Sequence, residues 1–194
     1  MDTLYTDYPS VLKYTPIAVR YGPWMLNEED EGLQHEEGVK YRLRISAPRS
    51  NRRGEDQYIA DSITVDVPPD GVVRLKLLPS DRYLPKGRYI VEYFRDGCRT
   101  PVDVQDWVVP SLSPSNSYNF VLSDQDPILP LNIWRVLTVS PGDDWTSEYN
   151  HLTWRTTRPE PGTGISLTYT PAATLDQLLN FRLDNLGNID RVRA

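Results

Sequence analysis

Imidazoles and thiols are nearly absent from this chain, which has 2 His (His35 and His151) and 1 Cys, Cys98. A lone cysteine excludes an intrachain disulfide and with it the disulfide-stapled secreted scaffolds. Structural zinc calls for more Cys and His than this. Positive charge is also short, with 21 Lys and Arg against 27 Asp and Glu and a net charge of −6. That balance disfavours binding to a nucleic-acid backbone, which wants a basic face. No apolar run approaches the roughly 20 residues of a membrane-spanning helix. The opening MDTLYTDYPS has neither the basic nor the apolar region of a secretion signal. The expectation is a protein made in the cytoplasm that stays soluble until it assembles.

Catalytic patterns are equally sparse. There is no G-x-G-x-x-G, no Walker loop and no metal-binding His pair. Ser147, Glu148 and His151 lie close in sequence but lack the G-x-S-x-G elbow that presents a nucleophile. Cys98 has Arg99 beside it, a setting that can activate a thiol, yet it reads as an incidental thiol in a turn. Asp143 and Asp144 precede Trp145, but adjacent carboxylates on a loop tip diverge rather than flank a glycosidic bond. The acidic NEEDEGLQHEEG stretch fails the spacing of a calcium loop. The expectation is no enzyme, no cofactor and no metal.

What is abundant is alternation. In VKYRLRIS, Val39, Tyr41, Leu43 and Ile45 face one way while Lys40, Arg42 and Arg44 face the other, the mark of a half-buried antiparallel strand. Ile63, Val65 and Val67 repeat it before the turn Pro68–Gly71; Val73, Leu75 and Leu77 follow, then Tyr89, Val91 and Tyr93. Further strand-like runs, among them LNIWRVLTV, NHLTWRTT and GISLTYT, come without intervening helices. Such spacing indicates a sandwich or barrel, and the 17 Pro suit its loops. The pattern predicts an all-β protein. An extended N-terminal arm (1–36), with a short strand at Ile17–Tyr21, precedes an antiparallel β-sandwich (37–122). A β-rich extension (123–194) ends in a short helix at about 174–186. Leu43, Ile45, Ile63, Val65, Leu75, Leu77, Tyr89 and Val91 are the expected core.

In that helix Thr174 is the expected N-cap and Gly187 the residue past its end. Leu175, Leu178, Leu179, Leu183 and Leu186 form its apolar stripe. A helix so short needs a surface to bury the stripe, on its own sandwich or on another chain. The 5 Trp and 12 Tyr leave two readings open. Loop rings such as Trp24 and Trp145 can stack on sugar, or they can anchor protein interfaces, where aromatics and Arg are enriched. The acidic loop 28–37 and the loop 49–53, with Arg52 and Arg53, would then guide register between neighbours. Trp24, Arg52, Arg53, Trp145 and the five leucines are the candidate contact residues.

Asp70-Gly71, Leu75, Leu77, Leu84-Pro85, Gly87, Tyr89 and Val91 resemble the paired strands of transthyretin-like or fibronectin-like sandwiches. Domains of that type occur in tail fibres and baseplates of tailed bacteriophages. The likeness spans roughly Val39 to Leu122. It implies a structural virion subunit, a baseplate or tail-fibre connector assembled in the host cytoplasm. Its expected partners are other tail proteins and symmetry copies of itself, with no nucleic acid and no membrane span. The alternative is a carbohydrate- or receptor-binding module that meets a cell-surface glycan.

Overall fold

Alternating side chains settle into sheets when one face finds apolar cover, and two such cores form here. A computed structural model describes residues 14–21, 24–26, 33–35, 38–47, 51–53, 56–58, 62–80, 87–179, 181–183 and 189–191. The fold is all-β, with one short helix among the described residues. The strands are β1 (Thr15–Arg20), β2 (Trp24–Leu26), β3 (Leu33–His35), β4 (Tyr41–Ser46), β5 (Asn51–Arg53), β6 (Asp56–Tyr58), β7 (Ser62–Asp66), β8 (Val72–Leu77) and β9 (Tyr89–Arg95). There follow β10 (Asp103–Trp107), β11 (Asn116–Val121), β12 (Ile133–Ser140), β13 (Trp145–Glu148), β14 (His151–Trp154) and β15 (Gly164–Pro171). After helix α1 (Leu175–Leu179) come β16 (Phe181–Leu183) and β17 (Ile189–Arg191).

The first core is sandwich-like. A four-stranded antiparallel sheet in the order β10-β9-β4-β7 faces the antiparallel pair β1-β8. Leu43, Ile45, Tyr89, Val91, Tyr93 and Trp107 pack against Ile17, Val19, Val73 and Leu77. The strand expected near Ile17 is thus a full partner of β8, with Ile17 opposite Leu75 and Val19 opposite Val73. Five of the eight expected core residues, Leu43, Ile45, Leu77, Tyr89 and Val91, are buried. Val65 and Leu75 are half-buried against the core. Ile63 departs from expectation at 45% exposure. It lies opposite Ile45 on the core-facing side, but a two-stranded cover does not reach the fourth strand.

The second core draws on β11 to β15. Strands β11, β15 and β12 form one antiparallel sheet, and β13 and β14 a hairpin. Leu122, Leu129, Ile133, Val136, Val139, Leu152, Trp154, Ile165, Leu167 and Tyr169 fill it. Strand β11 therefore belongs here, and the second core starts before the expected limit at residue 122. On β12 the buried residues recur every third position, at Ile133, Val136 and Val139. Two register shifts against β15 account for this, each bulge adding an unpaired residue between inward ones.

The tail helix is shorter than its leucines predict. Thr174 does cap it, its amide donating to Gln177 Oε1 at 3.1 Å, one half of a capping box. But the Leu178 carbonyl accepts the Val108 amide at 2.9 Å, so it serves the end of β10. The chain then forms β16, which pairs with β17 and sets Leu183 opposite Ile189. Segments expected as loops also carry small hairpins: β2 with β3, and β5 with β6.

Candidate interaction surface

Registered partners share a face, so strand pairing assigns every side chain of the four-stranded sheet. On the outer face, Phe94 lies opposite Arg42, which lies opposite Asp66. In the next row Val104, Glu92, Arg44 and Thr64 run from β10 to β7. Phe94 is buried beneath two guanidinium groups, with Arg42 Cζ at 5.6 Å and Arg44 Cζ at 5.3 Å from its ring centre. Arg44 also grips Glu92 with two bonds, at 2.7 and 2.8 Å. The hydrogen bond from Arg44 holds the Glu92 carboxyl below its ordinary pKa. Arg88 meets Asp106 at 3.0 Å.

These charged pairs surround apolar side chains that nothing among the described residues covers. Ile90 is 46% exposed, and Val102 and Val104 are each 55% exposed. Isolated exposed apolar residues need no explanation, whereas grouped ones rimmed by polar residues mark interaction surfaces. Here Val104 and Ile90 belong to adjacent strands of one face, and Val102 adjoins β10 at the same end as Phe94.

The inner side of β10 is a hydrogen-bonded chain. Trp107 Nε1 donates to Gln105 Oε1 at 3.1 Å, and Gln105 Nε2 to Asp103 Oδ2 at 2.8 Å. The Tyr21 hydroxyl donates to the same Asp103 oxygen at 3.0 Å. The Tyr21 ring sits 4.1 Å from that of Tyr93, which in turn stacks on Tyr41 at 5.1 Å. Burial, and then the Asp103 carboxylate, push the Tyr21 phenol well above its ordinary pKa. Burial does the same to Tyr93.

A third cluster bridges the two cores. Arg74 Cζ lies 4.3 Å from the Tyr149 ring centre while its Nη1 pairs with Asp70 at 3.0 Å. Lys76 Nζ lies 5.9 Å from the Trp134 ring, and Trp134 meets Tyr149 edge-on at 5.7 Å. Tyr149 holds a φ of 51°, a conformation that bulky side chains rarely adopt. Its neighbour Asn150 pins the hairpin through Nδ2 to the Leu129 carbonyl at 2.9 Å. A groove of about 670 Å³ opens beside β4, lined among others by Lys40, Arg42, Asp66 and Asp96.

The candidate contact residues are scattered. Trp24 lies on β2 opposite His35, and Arg52 and Arg53 on β5 opposite Gln57 and Asp56; their side chains are outside the described residues, as is Leu186. Trp145 is half-buried at the start of β13, opposite Trp154 and against the second core. Leu178 is fully buried in the first core and Leu175 packs beside it, leaving Leu179 exposed. Of the three stripe leucines whose side chains are described, two are thus spent on the protein itself. Glu148 and His151 lie opposite one another on the hairpin, but Ser147 pairs with buried Leu152 on the other face, so the three do not converge. Among the described residues no three His, Cys, Asp or Glu side chains gather as metal ligands.

Sequence reasoning missed Ile90, Val102 and Val104. Ile90 faces away from Tyr89 and Val91, a signal readable from alternation, but only pairing shows that Val104 lies beside it. No protein-family model, curated protein or solved structure matches the chain.

Proposed function

We propose that this protein is a structural subunit that acts through protein–protein interfaces, as a baseplate or tail-fibre connector in the virion of a tailed bacteriophage. The observation that carries the interface reading is the outer face of β9 and β10. Ile90 and Val104 lie bare there, with Val102 just before β10, on the sheet whose Phe94 ring is clamped by Arg42 and Arg44. Fixed charges around an apolar centre suit a rigid contact with a neighbour. The virion role rests on the likeness of the Asp70–Val91 stretch to tail-fibre and baseplate sandwiches. Tail proteins encoded beside it provide the test, mixed with the purified chain and followed by light scattering. A complex is expected with the native chain and not with the Val102→Asp, Val104→Asp double variant; a native chain that joins none of them refutes the virion role.

The glycan-binding alternative rests on Trp145. With that ring packed against the second core, it has less free face to offer a sugar. Glycan binding that disappears on Trp145→Ala would reinstate it.

A further inference from the structure

The sheet of the second core has two edges, and they are finished differently. Strand β12 breaks register twice against β15, carries the exposed Arg135, and has β1 and β13 against it. Bulges, charge and cover are the usual guards of an edge. Strand β11 lacks the first two. It runs beside β15 for six residues without a register shift, and among the described strands it pairs with β15 alone. Its sequence NSYNFV holds no charge and no proline, and no charged residue lies between Asp106 and Asp124.

The hydrogen bonds of Leu122, just past the strand, fix which backbone groups face out. Its amide donates to the Thr163 carbonyl at 2.9 Å, and its carbonyl accepts the Gly162 amide at 2.8 Å. Leu122 spends both groups on the β15 side, and in an antiparallel ladder residues 116, 118 and 120 do the same. Those of Ser117, Asn119 and Val121 turn outward, where they meet no partner among the described residues. All three residues are exposed, Val121 at 69%. On the core side Tyr118 and Phe120 are only half-buried, with their rings stacked at 5.8 Å. An open, uncharged edge with such rings is adhesive until another strand pairs with it.

We infer that β11 is a seam along which two copies of this chain pair antiparallel, joining their second-core sheets into one. The occupant follows from the fit of the strand to its own copy. A two-fold axis through Asn119 sets it opposite Asn119 of the second copy. The outward groups of residues 117, 119 and 121 then form a closed set of ladder bonds about that axis. Tyr118 meets Phe120 of the second copy, and Phe120 meets Tyr118 of the second copy. Both are non-hydrogen-bonded pairs, where side chains come closest and aromatic partners are favourable. The four rings continue the second core across the seam and cover what one copy leaves half-bare. Val121 meets Ser117 of the second copy, so no like charges oppose. Such an isologous contact is the commonest route to a dimer. The seam is short, so the dimer is concentration-dependent. This inference goes beyond the virion role and uses a different surface, so either can fail alone.

The test is sedimentation of the full chain at rising concentration, beside Asn119→Asp and Asn119→Lys. Each variant sets like charges directly opposite one another on the axis, at a position exposed in the single copy. Asn119→Asp also keeps an oxygen to accept from the Ser166 hydroxyl. The expected result is a wild-type monomer–dimer equilibrium and loss of the dimer in each variant alone, with an unchanged circular dichroism spectrum. Mixing the two variants in equal amounts is expected to restore the dimer, because opposite charges then meet on the axis. A wild-type chain monomeric throughout, folded variants that each dimerise like wild type, or a mixture that stays monomeric overturns the inference. If a variant does not fold, hydrogen exchange of the wild-type chain decides. Protection of the Ser117, Asn119 and Val121 amides that grows with concentration supports the seam, and rapid exchange of all three in the dimer overturns it.

Discussion

The two cores are built in opposite ways. The second is drawn from one continuous stretch, Tyr118 to Tyr169, whose first strand, β11, pairs with its last, β15. The first is closed by both halves of the chain. Strand β1 enters from the beginning, and residues 172–178 return from the far side of the second core. Ile17 bridges Ala173, the Ala18 amide donates to the Ala173 carbonyl at 3.0 Å, and Leu178 is buried among first-core residues. On the way, the Ala172 amide donates to the Asn132 carbonyl at 2.8 Å. The first core therefore includes contacts that close a loop holding the whole second core, a costlier closure in chain entropy. A local core tolerates damage elsewhere; a core closed from both ends does not.

The strongest way to break this asymmetry is to empty the first core. Trp107→Ala is expected to cost about 3–5 kcal/mol and Leu178→Ala about 2–5 kcal/mol. Hydrogen exchange would show protection lost at Leu43 and Val91 and kept at Leu167. Equal loss in both regions would mean that the cores are not separable. The converse damage is Gly142→Ala. Gly142 has a φ of 118°, and a Cβ there would meet Trp154 Nε1 at 2.7 Å. About 1–3 kcal/mol of destabilisation is expected in the second core alone, seen as a change in near-ultraviolet dichroism with Val91 amides still protected.

A pH series sharpens the same contrast. In the unfolded chain Tyr21 and Tyr93 ionise near 10.0, while burial raises both in the native state. Protons therefore leave the unfolded chain first as pH rises. The stability from these phenols is whole below pH 10 and declines as pH climbs from there toward the native values. Denaturant melts of wild type should show that alkaline decline in the first core, and Tyr21→Phe with Tyr93→Phe should flatten it. An undiminished decline would assign the sensitivity to other groups. The smallest effect is expected at the bridge between the cores. Arg74→Ala removes the contact with Tyr149 and should cost about 0.5–1 kcal/mol, and a double-mutant cycle with Tyr149→Ala would show whether the two are coupled.

Much of the fold was legible wherever pairing was regular. Period two alone placed Leu43, Ile45, Leu77, Tyr89 and Val91 in the core. It failed where a neighbour decides. Ile63 alternates as well as Ile45, yet its burial depends on how many strands cover it. Ile133, Val136 and Val139 look aperiodic until the bulges against β15 are known. Leu183 fits the stripe of Leu175 and Leu178, but Val108 takes up the Leu178 carbonyl and the chain goes on into β16. The contact surface was less legible still. Trp145 and Leu178 drew notice as large apolar residues, and the fold packs both against its own cores. The bare residues are ordinary valines and an isoleucine, recognisable only once β9 and β10 are side by side.

The claim that this protein works through its surfaces is most directly tested at Val104. A single thiol introduced there by Val104→Cys, with Cys98→Ser, can be labelled on the free chain and again on purified tail particles. Rapid labelling of the free chain and protection in the particle is the predicted result. Equal labelling in both, or particles that lack the chain, would contradict the account.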